Sequence, residues 1–111
     1  HAVEAAGWIQ LTGQMTTPPD DDSAPLADGV KAQTRRVMDN LVIVLEGLDL
    51  DLSNVLSCRV YLTEFARDYE AMNQTYRSYF SQDRLPARTC IGVTGLARCA
   101  LVEIDMVARR P

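Results

Sequence analysis

Gly29-Val30-Lys31-Ala32-Gln33-Thr34-Arg35-Arg36-Val37-Met38-Asp39-Asn40-Leu41-Val42-Ile43-Val44-Leu45-Glu46-Gly47-Leu48, followed after a short polar break by Val55-Leu56-Ser57-Cys58-Arg59-Val60-Tyr61-Leu62, is the stretch on which the fold turns. In its first part Val30, Gln33, Val37, Leu41, Val44, Leu45 and Leu48 recur at three- and four-residue steps, which predicts an amphipathic helix from Gly29 to about Leu48. Asp28 is placed to cap its start. Asp49, Asp51 and Ser53 favour local bonds from side chain to backbone, so the helix should stop by Asp49. The second part, Val55 to Leu62, is apolar, β-branched or aromatic at most positions and reads as a strand.

Working outward toward the C-terminus, Tyr69, Met72, Tyr76, Tyr79 and Phe80 form one apolar stripe of a second helix, from about Ala66 to Phe80, with the aromatics expected in the core. Arg84-Leu85-Pro86 breaks that pattern. Arg88 to Val93 and Leu101 to Ala108 then read as two strands joined across Gly95 to Cys99. Toward the N-terminus, Trp8 to Thr12 reads as a strand ending in a turn at Gly13-Gln14, with Ala2 to Ala5 as its pairing partner. Between Thr16 and Asp28 three prolines and Asp20-Asp21-Asp22 predict a solvated loop.

The resulting order is strand, strand, helix, strand, helix, strand, strand. Helices spaced this way pack together on one face of a mixed sheet, giving a two-layer α+β domain that spans residues 1–111. An apolar opposite face would call for a partner, and self-association about a symmetry axis would supply one.

Composition narrows the function classes. With 111 residues, 47% hydrophobic and 23% charged, the chain is an ordinary globular sequence. A net charge of -4 disfavours a phosphate backbone as partner, so nucleic acid is not expected. No apolar run approaches a membrane span, and no signal-type segment opens the sequence, which points to the cytoplasm. The sequence starts at His1 without methionine, so a preceding segment could have been removed. Lys31 is the only lysine beside ten arginines, which speaks against a Schiff-base lysine. Cys58, Cys90 and Cys99 have neither metal-ligand spacing nor the even number of a disulfide framework, so reduced thiols and no metal are expected.

Strand alternation places Arg88, Cys90 and Gly92 on one face, with open space in front of the arginine. It places Leu101, Glu103, Asp105 and Val107 together, opposite Val102, Ile104, Met106 and Ala108. Two readings of Arg88 and Glu103 stay open at this point. They neutralise one another as an ion pair in the sheet, or Arg88 offers its planar donors to a ligand carboxylate while Glu103 handles protons or positions a water.

Several separated segments resemble the RidA (YjgF-type) family of enamine/imine deaminases. They are Leu11-Thr12-Gly13-Gln14, Ala32-Gln33-Thr34-Arg35 with Asn40-Leu41, Val60-Tyr61-Leu62-Thr63, Met72-Asn73 with Tyr76 and Tyr79-Phe80, Pro86-Ala87-Arg88, and Val102-Glu103-Ile104. The resemblance implies a homotrimer of chorismate-mutase-like α+β subunits with clefts between neighbours. It implies that Arg88 binds the carboxylate of a 2-imino or 2-enamine acid and that Glu103 directs a water to the imine carbon, yielding a 2-keto acid and ammonia without cofactor. Thr12, Gly13 and Cys90 match residues that line the family's pocket; Asn73 stands where the second helix can bring it to the cleft, or where it equally caps or bridges local backbone. No basic neighbour of Cys90 is visible, so its thiol is not expected to act as a nucleophile.

The sequence departs from the family pattern in places that bear on the substrate. Thr12 stands where serine is usual, and Thr89 and Thr94 stand where smaller residues are usual. Family deaminases also carry a Gly-Pro-Tyr segment upstream of the position matching His1, and its tyrosine closes the pocket. The resemblance leaves room for a non-catalytic trimer that binds a 2-keto acid. It also leaves room for the RNA-directed activity attributed to some relatives, which the acidic balance disfavours.

Overall fold

The computed structural model describes residues 1–14 and 28–111; the expected loop between Thr16 and Asp28 lies, up to residue 27, outside the described residues. Five strands and two helices follow the order read from the sequence: β1 (Ala2–Ala5), β2 (Trp8–Gln14), α1 (Gly29–Gly47), β3 (Val55–Leu62), α2 (Phe65–Arg77), β4 (Ala87–Gly92) and β5 (Val102–Arg109). The sheet runs β1-β2-β5-β3-β4. It is mixed, because β4 lies parallel to β3 while the other neighbours are antiparallel. A parallel pair needs a crossover, and α2 supplies it between β3 and β4.

The two helices pack side by side and cover one face of the sheet. Along β5, Val102, Ile104, Met106 and Ala108 are buried while Glu103, Asp105 and Val107 are half-exposed, so the predicted alternation holds residue for residue. Val60 pairs with both Ile104 and Cys90, and Tyr61 with both Glu103 and Ile91. Residues in register share a face, so Val60, Ile104 and Cys90 point toward the helices and Tyr61, Glu103 and Ile91 away from them. Ile9, Leu11, Val37, Met38, Leu41, Leu45 and Met72 complete the core from both layers. Each such side chain contributes about 1.5–3 kcal/mol on full burial.

Differences from the sequence reading have local causes. The strand β2 does not turn at Gly13-Gln14 but continues through it with a register shift between Leu11 and Gln14, so Gly13 serves close approach rather than reversal. The reversal lies at Ala6-Gly7, whose φ angles of 52° and 83° suit a two-residue hairpin between β1 and β2. Asp28 occupies the N-cap position of α1 but makes no side-chain cap bond. Asp51 does cap, accepting from Ser53 N at 2.9 Å at the head of a 3₁₀ turn over Leu52–Asn54. The helix α2 ends at Arg77, three residues before Phe80, where Ser78 Oγ donates to the Thr75 carbonyl at 2.6 Å and the next amides close i to i+3 turns.

The face away from the helices carries Trp8, half-exposed, with Ile91, Val107 and a polar set around Asp105. No helix among the described residues is long and apolar enough to cross a membrane.

Candidate functional site

The stripe Tyr69, Asn73, Tyr76 and Arg77 recurs at three- and four-residue steps, so one face of α2 presents all four toward the start of β4. Arg88 rises from β4 to meet them. Its Nη1 donates to Asn73 Oδ1 at 2.7 Å and its Nη2 to the Tyr69 hydroxyl at 3.1 Å. Its Cζ lies 4.9 Å from the Tyr76 ring centroid and 5.8 Å from that of Tyr69. Two hydrogen bonds and two aromatic faces therefore fix the guanidinium plane, while its remaining N–H groups are left for a ligand. With Leu85 and Pro86 these residues line a cavity of about 360 Å³, within the range of small-molecule sites.

The space expected in front of Arg88 toward Gly92 is filled. Phe65 and Tyr69 stack at 5.2 Å, and a Cβ on Gly92 would stand 3.3 Å from Phe65 Cβ. The cavity opens instead toward Arg77. Cys90 shares the face of Arg88 as expected but packs against the core and is not among the described residues that line the cavity. Burial pushes its thiol above the ordinary 9.0, against the opposing pull of Arg88, and burial pushes Cys58 up to about 11. Both thiols stay protonated near neutral pH. Iodoacetamide at pH 7 is therefore expected to label exposed Cys99 first, with Cys58 and Cys90 following slowly; peptide mass spectrometry over time reads the order.

Glu103 stands elsewhere. Arg88 pairs in register with Cys58, which faces the helices, whereas Glu103 pairs with Tyr61 on the opposite face. The ion pair between Arg88 and Glu103 within one chain is thus ruled out by strand parity, and so is their standing as neighbours in that chain. The cause is that β3 lies between β4 and β5 and the two residues differ by an odd register step.

On its own face Glu103 lies over Gly13: a Cβ there would come within 2.8 Å of Glu103 Cδ, so any side chain on that residue displaces the carboxylate. Thr12 adjoins, its hydroxyl donating to the His1 carbonyl at 3.1 Å. Asp105 is engaged by Arg59 through two bonds of 3.0 and 3.1 Å and by the Tyr61 hydroxyl at 3.1 Å. The Glu103 side chain has no hydrogen-bond partner among the described residues. Burial first, then the charge of Asp105, raises its carboxyl above the ordinary 4.5. A hollow of about 400 Å³ lies on this face, lined by Val3, Gln10, Leu11, Thr12, Gly13, Arg59 and Asp105.

The six candidate residues therefore form two groups: Arg88, Asn73 and Cys90 on the helix side, and Thr12, Gly13 and Glu103 on the open side. Tyr69, Tyr76 and Arg77 join the first group, and Tyr76 is at the same time buried in the core as expected, with Tyr69 packed against it. The signal for them was Asn73 and Arg77 interleaved at helical spacing with the rings. Among the described residues no group of three or more His, Cys, Asp or Glu gathers to hold a metal. Tyr69→Phe keeps the ring and removes the 3.1 Å bond, so thermal unfolding should show a loss of about 1 kcal/mol of stability.

An α+β domain with an arginine seated on an aromatic helix face is the class this geometry defines, and residues 1–110 match the model of the family described as Endoribonuclease L-PSP. The chain belongs to that family, the RidA or YjgF family. It is 34% identical over 111 residues to a RutC family protein of Synechocystis, covering all of this chain and 85% of that one. It is 26% identical over 112 residues to a 2-iminobutanoate/2-iminopropanoate deaminase of Salmonella typhimurium, covering 99% and 85%. Among solved structures, RidA from an Antarctic Psychrobacter superposes with a TM-score of 0.88 at 27% identity, covering 97% of this chain and 85% of the other.

Proposed function

We propose that this protein hydrolyses reactive 2-imino acids, formed from their 2-enamine tautomers, to 2-keto acids and ammonia, in clefts built between copies of the chain. The observation that carries the reading is the fixed guanidinium of Arg88 in a cavity whose described lining contains no carboxylate. A planar fork of donors with its own partners already in place suits the carboxylate of a small acid, at about 1.5–3 kcal/mol per charge-assisted bond. The distant relatives named imine deaminases support the same chemistry.

In the reaction, water oxygen adds to the imine carbon, a proton goes to nitrogen, the carbon–nitrogen bond breaks, and ammonia leaves with the keto acid behind. Glu103 directs the water and takes its proton. Since Glu103 and Arg88 point from opposite faces, one subunit supplies the anchor and a neighbour supplies the carboxylate over Gly13 and Thr12. A homotrimer with one cleft per boundary meets this requirement, and it covers the open face that carries Trp8, Ile91 and Val107. The reaction needs positioning and proton transfer and no cofactor.

The same separation of Arg88 from Glu103 favours one second reading. A subunit whose anchor never meets a carboxylate binds 2-keto acids without turning over imines. Generating 2-iminopropanoate and 2-iminobutanoate in situ and following their disappearance decides between them. Acceleration proportional to protein concentration is expected; 2-keto acid binding without acceleration would leave only the binding role.

A further inference from the structure

We propose that the cavity beside α2 takes acids with two carboxylates, one held by Arg88 and the second by Arg77, so that the preferred ligands are 2-imino and 2-oxo acids with an acidic side chain. This rests on Arg88 as the anchor of the first carboxylate. Arg77 lies four residues beyond Asn73 on the same face of α2, about 6 Å along the helix axis. Asn73 marks the place of the Arg88 guanidinium through their 2.7 Å bond. Both arginines line this one cavity, and a helical spacing of about 6 Å is one that a four- or five-carbon dicarboxylate spans.

The charges around Arg77 support the assignment. It donates to Gln82 Oε1 at 2.7 Å from one terminal nitrogen, which steadies the side chain and neutralises nothing. No ion pair joins it among the described residues, and Asp83, in the turn that follows α2, is engaged by the Ser81 hydroxyl. With Arg88 committed to the first carboxylate and the neighbour's Glu103 to the water, Arg77 is the cation left in the lining for a second carboxylate. Leu85 and Pro86 also line it and suit the methylene carbons of such a ligand.

The test compares 2-oxoglutarate with 2-oxopentanoate, which match in length and differ in a terminal carboxylate against a methyl group. Calorimetric titration of the full chain in its native assembly is expected to favour 2-oxoglutarate about fivefold at low ionic strength, the scale of an exposed ion pair. The preference should shrink as salt is raised. In Arg77→Gln, an exposed position where folding can be checked by circular dichroism, the two ligands should bind alike. Equal affinity in the wild type, or a preference that survives in Arg77→Gln, overturns the proposal. Should 2-oxopentanoate bind through Arg88 without any gain for 2-oxoglutarate, the second carboxylate falls and the anchor stands. A preference found in a protein that hydrolyses no imine removes the hydrolytic reading and leaves this one. If Arg88→Ala binds both ligands as the wild type does, both readings fall together.

Discussion

Arg88→Ala is expected to lower kcat/KM for 2-iminopropanoate by about a hundredfold or more while the chain stays folded. Two charge-assisted bonds to the substrate carboxylate contribute about 3 kcal/mol or more together, and each 1.36 kcal/mol is about tenfold in rate. The structural cost is smaller. Arg88 is half-buried at the cavity, so its removal leaves Asn73 Oδ1 and the Tyr69 hydroxyl facing space that water can fill. Loss of the contact with the Tyr76 ring costs about 1 kcal/mol of stability. Thermal unfolding beside steady-state kinetics separates the two effects, and near-normal turnover in a folded variant would remove Arg88 as the anchor.

Glu103→Gln is expected to bind a 2-keto acid normally and to turn over imine about a hundredfold more slowly, the usual scale of lost general-base catalysis. The substitution keeps size and removes the proton acceptor. It sits on the other face of the sheet from Arg88, so it leaves the anchor's bonds untouched. The pH profile gives an independent sign. Water activation needs the ionised carboxylate, and burial with Asp105 nearby raises the Glu103 carboxyl above 4.5. Activity should therefore fall as pH is lowered through a value above 4.5, and that acid limb should vanish in the variant. An unchanged profile would take Glu103 out of the mechanism.

The elements were legible because each side-chain pattern has a single period. Val102, Ile104, Met106 and Ala108 alternate without a fault, and Val30 through Leu45 keep helical spacing, so hydrophobic burial alone selects strand and helix. The end of α2 was not legible, since Tyr79 and Phe80 continue the apolar stripe while Ser78 turns the backbone away. Gly13 misled for a related reason. Glycine signals a turn and a close approach equally, and only the position of Glu103 shows which is at work.

For the candidate site, parity within a strand was sound and geometry between strands was not. Arg88 and Cys90 do share a face. The relation of Arg88 to Glu103 depends on strand order and register, and local sequence carries neither. The aromatic seat of the guanidinium was hidden because Tyr69 and Tyr76 obey the core pattern and serve the site as well.

That separation of Arg88 from Glu103 puts the central claim, a site assembled from two copies of the chain, within reach of one measurement. Arg88→Ala and Glu103→Gln chains, each expected to be about a hundredfold less active alone, are unfolded together, refolded as a mixture and assayed for imine hydrolysis. Shared clefts predict recovery to about a quarter of wild-type activity at equal mixing, because half the clefts draw an intact Arg88 and half of those an intact Glu103. A mixture as inactive as its two components would contradict the account.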